Sequence, residues 1–182
     1  MHIAWTQAVL YDPPTVLGRK LYPFSPLHAL VLDAVQSPFF IGGNYDLQDL
    51  VLAVHVCCSS WDTRADIFAN PATLKKWGKQ HGKTNWRKEV AAFQFYMAES
   101  WNTPKSWHDG KDGADKGSTA KASGAYHLAV FAMRRLGMSE AAAWDCPAAR
   151  IVCYRETFIE QESGKSDLIG DEINDARNAP GM

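Results

Sequence analysis

The sequence predicts a mainly α protein, a compact bundle of five or six helices with a short extended or hairpin element at its N-terminus. Three observations lead there. Apolar residues recur at helical spacing in several separate stretches. Most of those stretches open on a capping residue or a proline. The β-prone runs, Ile3–Tyr11 and Thr15–Tyr22, lie within the first 24 residues and are punctuated by Pro13, Pro14 and Pro23. With 182 residues and 46% hydrophobic content, a single core is the simplest outcome.

Taken in order, residues 1–24 read as an extended arm or a hairpin turning at Asp12-Pro13-Pro14. Ser25-Pro26 opens the first helix, with Leu27, Leu30, Val31 and Ala34 as its buried stripe. Ser37-Pro38 ends it, because a residue before proline avoids helical angles. Phe39-Phe40-Ile41-Gly42-Gly43-Asn44 reads as an apolar turn. Asp46 caps a second helix from Leu47 to about Ser59. Leu47, Leu50, Val51, Val54 and Cys58 form one face of it, while Leu52, Ala53 and Val56 fill much of the other, which marks a central helix. Trp61-Asp62-Thr63-Arg64 is a link, and Asn70-Pro71 starts a lysine-rich surface helix that ends at Gly82.

From Asn85 to Trp101 the residues Trp86, Val90, Phe93, Met97 and Trp101 fall on one stripe. A mobile loop is expected at about 102–123, because Asp109–Gly117 has almost nothing to bury. Helical spacing resumes with Ala125, Leu128, Ala129, Ala132, Met133 and Leu136. Gly137 then closes that helix in the left-handed region, Ser139 caps a turn, Trp144 anchors the corner, and Pro147 suits the first turn of the last helix. That helix runs to Glu162 and presents Ile151, Val152, Phe158 and Ile159. The expected division is an arm over 1–24, one helical domain over 25–163, and an acidic tail with a frayed end over 164–182.

Charge and cysteine usage narrow the function classes. The net charge of −1 gives no global attraction to nucleic acid or anionic membranes. It is unevenly spread: residues 70–121 hold ten Lys/Arg against five Asp/Glu, and residues 156–175 hold seven acids and one lysine. Two solvated faces explain this, and so does an oppositely charged partner. No apolar run approaches the roughly 18 residues that span a bilayer, and Met1-His2-Ile3-Ala4-Trp5 lacks the pattern of a signal peptide. Cys57, Cys58, Cys146 and Cys153 sit in apolar, helical surroundings, which points to free thiols in a reducing cytoplasm.

Reactive constellations are weak. His55-Val56-Cys57-Cys58 is the one local cluster of metal-ligand type, and no second pair completes it, so no metal is expected. Asp109–Gly117 fails the calcium-loop pattern in either register. A Cys–His nucleophile drawn from Cys57 or Cys58 conflicts with their apolar helix. Nucleophile-elbow, P-loop and dinucleotide motifs are missing, and Glu156, Glu160 and Glu162 lie on a solvated face. The expectation is therefore no enzyme, no catalytic residue and no cofactor. Lys75, Lys76, Lys79, Lys83, Arg87 and Lys88, interleaved with Trp77 and Trp86, suggest a nucleic-acid surface. They suit a basic face for an amphipathic partner helix at least as well.

Two blocks carry a resemblance. One is Leu21-Tyr22-Pro23-Phe24-Ser25-Pro26-Leu27-His28-Ala29-Leu30 with Ser37-Pro38-Phe39-Phe40 and the helix Asp49–Cys57. The other runs from Leu136-Gly137-Met138-Ser139-Glu140 through Trp144-Asp145-Cys146-Pro147. Together, over less than half the chain, they resemble the small helical tail assembly chaperones of tailed bacteriophages and prophages. The resemblance implies a non-enzymatic protein of the bacterial host cytoplasm. It would bind the tape measure protein before the tail tube polymerises, and release it as tail tube protein competes; a homo-oligomer is compatible with that role. The candidate client surface is Phe39, Phe40 and Ile41 with the basic face of Lys75, Lys76 and Lys79. Gly137, Ser139, Trp144 and Pro147 are expected to be structural anchors. A virion protein of the tail or neck, and a DNA-binding accessory protein, stand as alternatives.

Overall fold

Extended chain and helices share one core in the computed structural model, which describes residues 10–67, 71–81, 85–100 and 123–163. Strands β1 (Thr15–Val16) and β2 (Arg19–Lys20) pair antiparallel, with Thr15 opposite Lys20. Eight α-helices lie among the described residues. They are α1 (Pro26–Ala34), α2 (Pro38–Ile41), α3 (Leu47–Cys57), α4 (Pro71–His81), α5 (Trp86–Ser100), α6 (Gly124–Arg135), α7 (Glu140–Asp145) and α8 (Ala148–Ser163). The fold is mainly α. The number exceeds five or six because two corners that read as turns wind into short helices, α2 and α7. The link after α3 likewise tightens into a 3₁₀ turn at Arg64–Ile67.

The hairpin turns at Leu17-Gly18 and not at Asp12-Pro13-Pro14. Leu17 and Gly18 have φ of +49° and +71°, the left-handed pair that a two-residue hairpin requires. A leucine there costs on the order of 1 kcal/mol or more. Two contacts offset it: the side chain is buried in the core, and its N–H donates to Glu89 Oε2 of α5 at 2.7 Å. Leucine gives no turn signal, so Thr15–Tyr22 reads as one unbroken strand. The companion run Ile3–Tyr11 lies almost wholly outside the described residues. So do Asn70, Gly82, Trp101, the expected loop up to Ala122, and the tail from Gly164.

Helix ends follow local chemistry in most places. Asp46 caps α3 by accepting from the N–H groups of Gln48 and Asp49, at 2.7 and 2.9 Å, and Asp49 Oδ2 accepts from Asp46 N–H at 2.8 Å. This reciprocal box satisfies donors that a helix start leaves open. Helix α1 stops earlier than Ser37-Pro38 predicts. Gln36 takes a φ of +52°, and the N–H groups of Gln36 and Ser37 donate back to the carbonyls of Asp33 and Leu32, each at 2.9 Å. That is a Schellman closure with glutamine where glycine is usual. Gly137 closes α6 with φ +67°, and Ser139 Oγ accepts from Ala142 N–H to start α7. Pro147 sits one residue before α8, where its carbonyl accepts from Arg150 and Ile151 N–H, so it caps the helix from outside the first turn.

Helix α1 is the hub, in contact with α2, α3, α6 and α7; α4 leans on α3, and α8 on α6. Val90, Phe93 and Met97 of α5 are buried as their spacing predicts, while Trp86 at the open end of that stripe is 38% exposed. Trp144 is buried, with its ring stacked on Trp61 at 5.9 Å and Tyr126 edge-on at 5.2 Å. Asp145 Oδ1 accepts from Trp61 N–H at 2.7 Å and ties the same corner.

His28 is buried on the first turn of α1. Its Nδ1 accepts from Ser25 N–H at 3.2 Å, which leaves Nε2–H to donate to the Ser59 carbonyl at 2.8 Å. Burial holds its pKa down from 6.5 to about 4, against the opposing effect of the Ser59 bond. The neutral ring is thus preferred by the folded state. Its contribution is complete above pH 6.5 and is lost as pH falls toward 4, on the order of 3 kcal/mol in all. Urea melts at pH 7 and pH 4 check this. The loss of stability between them should shrink in His28→Gln by about that amount, and an unchanged difference would refute it.

Candidate binding groove

A concavity lies where α4 leans on the N-terminal half of α3. It has a volume of about 930 Å³ and is lined by Asp46, Leu47, Gln48, Asp49, Val51 and Leu52 from one side and Leu74, Lys75, Gly78 and Lys79 from the other. The periodicities of the two helices produce it. In α3 the apolar residues extend round most of the circumference, so Leu47 and Leu52 remain only partly buried after Leu50, Val51 and Val54 enter the core. In α4 Leu74 and Gly78 are one turn apart, as are Lys75 and Lys79, which places an apolar row beside a cationic row. Gly78 keeps the wall low: a Cβ built there meets Val51 Cγ2 at 3.6 Å, an ordinary contact.

Charge divides the groove lengthwise. Asp46 and Asp49, the reciprocal cap of α3, stand on one bank, and the exposed ammonium groups of Lys75 and Lys79 on the other. Each carboxylate commits an oxygen to the backbone, which fixes its position while its charge remains.

The residues expected to form a client surface do not all line this groove. Lys75 and Lys79 line the groove, whereas Lys76 is exposed but outside its lining. Phe39 and Phe40 turn toward the core. Phe39 stacks on Tyr45 at 4.7 Å and meets Phe93 edge-on at 5.1 Å, and Phe40 stacks on Phe24 at 6.3 Å. Ile41 is 51% exposed. The groove residues Leu47, Leu52, Leu74 and Gly78 were missed as a site, although the apolar second face of α3 was a signal for Leu52.

Other candidate chemistry is muted by its surroundings. Cys57 is buried beside Tyr96, and burial pushes its thiol far up despite the Tyr96 hydrogen bond. Cys58 donates to the Lys20 carbonyl at 3.4 Å and is pushed up to about 11, again by burial. Both thiols stay protonated and poorly nucleophilic near neutrality. His55 Nδ1 faces Arg19 Nη1 at 3.4 Å. Among the described residues no group of three His, Cys, Asp or Glu is placed to hold a metal ion, and no helix is long and apolar enough to cross a membrane. Trp77 is buried, with the Arg19 guanidinium 4.0 Å above its ring, so its face is not open for stacking a base.

Comparison with protein-family models, with curated proteins and with solved structures finds no match. The groove is therefore read from its own chemistry. Because Gly78 lies inside a helix with room for a methyl group, Gly78→Ala should raise stability by about 0.5–1 kcal/mol. A urea melt that shows destabilisation would mean that α3 leaves no room for a methyl group at this position.

Proposed function

We propose that this protein is a non-enzymatic binding protein of the tail assembly chaperone kind. It shelters amphipathic segments of the tape measure protein in the host cytoplasm until tail tube protein displaces it. The observation that supports this best is the groove between α3 and α4, an apolar trough with charged side chains along both rims. A trough of this shape suits the apolar stripe of a helix, and its rims can match the polar flanks that such a stripe carries. A client that aggregates through exposed apolar stripes gains solubility when they are covered.

The same groove argues against the reading as a DNA-binding accessory. A phosphate backbone would meet Lys75 and Lys79 on one side and be repelled by Asp46 and Asp49 on the other. With Trp77 occupied by Arg19, the aromatic half of a single-strand platform is weakened as well.

Co-expression with the tape measure protein from the same phage or prophage tests the proposal. Expressed alone, the tape measure protein should pellet. With this chain it should remain in the supernatant and co-elute with it on gel filtration, and the complex should be missing from finished particles. A tape measure protein that pellets equally with and without this chain would overturn the reading.

A further inference from the structure

The groove also limits which helix can lie in it, an inference that rests on the client-binding reading above. Asp46–Leu52 on one side and Leu74–Lys79 on the other each extend for about one and a half helical turns, about 8–9 Å of trough. The floor therefore accommodates apolar side chains at i, i+3 and i+4 of a single helix. Its rims are opposite in sign, and among the described residues no ion pair joins Asp46 or Asp49 to Lys75 or Lys79. The two rows of charge are thus not a salt bridge that closes α3 onto α4. They face the open trough.

We propose that the groove accepts one amphipathic helix of a partner protein with edges of opposite charge. Basic side chains lie along the edge beside Asp46 and Asp49, and acidic side chains along the edge beside Lys75 and Lys79. Such a helix forms attractive pairs on both rims. One with both edges acidic or both basic gains on one rim and is repelled on the other. The arrangement also sets direction, because turning the helix end for end brings like charges together. Gly78 supplies depth, because it lines the trough without a side chain.

Three fluorescent synthetic helices of about 14 residues, with one shared apolar stripe, test this by anisotropy against the full chain. One has glutamate along one edge and lysine along the other; the second has glutamate on both edges; the third has lysine on both. The mixed helix should bind about tenfold more tightly than either single-sign helix, with the margin narrowing in high salt. In the double variant K75E/K79E the order should change, so that the all-lysine helix binds best. Gly78→Leu should weaken all three, and because it is internal, its melt is measured alongside. Should that variant misfold, the surface changes at Lys75 and Lys79 decide the matter alone. Equal binding of the three helices, binding of none, or an order unchanged in K75E/K79E overturns the proposal. Loss of selectivity while the tape measure protein is still kept soluble would remove only the charge rule. Selectivity retained without that solubility would remove only the client's identity.

Discussion

Backbone groups at helix ends must find partners, and in this fold the extended stretch from Pro14 to Ser25 supplies several of them. Tyr22 N–H donates to the carbonyl of Cys57 at the end of α3, at 2.9 Å, and the Phe24 carbonyl accepts from Ala148 N–H at the start of α8, at 2.8 Å. The Tyr22 carbonyl accepts the hydroxyl of Tyr96 in α5 at 2.9 Å, and Glu89 of the same helix holds Leu17 N–H. His28 completes the set by joining Ser25 N–H to Ser59 just past α3. Each bond satisfies a polar group, and where that group is buried, leaving it open would cost about 1–3 kcal/mol. Val16, Leu17, Leu21 and Phe24 enter the same core as the helices. The stretch is thus the strap that sets α3, α5 and α8 relative to each other.

The groove inherits its geometry from that strap. Helix α3 is fixed at its C-terminal end by Tyr22 and at its N-terminal end by its own carboxylate box. Its outer apolar residues, Leu47 and Leu52, are then left beside α4 with no further layer among the described residues to cover them. A rigid bank suits recognition, since charges placed in advance discriminate between partners without an ordering cost at binding. Cys57, Cys58 and His28 are drawn into packing and backbone satisfaction instead. Our proposal of a binding role follows that division between committed and open side chains.

Much of the architecture was legible because it is local. Asp46, Ser25-Pro26, Gly137 and Ser139 each act on backbone atoms within a few residues, so their types report the helix ends directly. The stripes Val90, Phe93, Met97 and Ala125, Leu128, Ala129, Ala132 report burial for the same reason. What escaped depends on distant partners. Leu17 takes a left-handed conformation because Glu89 and the core hold it, and Gln36 because the Schellman bonds do; neither residue type announces it. Phe39 and Phe40 looked like surface candidates beside two glycines, yet Phe24, Tyr45 and Phe93 draw them inward. Of the site, Lys75 and Lys79 could be named from charge. The trough between them and Asp46 required knowing that α4 lies along α3.

The strap is the claim on which the rest stands, and native-state hydrogen exchange of individual amides tests it most directly. If the strap is integral, the N–H groups of Tyr22 and Ala148 should exchange only through global unfolding, with the same free energy as the core amides of α3, such as Val54. Exchange of Tyr22 and Ala148 at a free energy several kcal/mol below that of Val54 would show an arm that opens on its own, and would contradict the account.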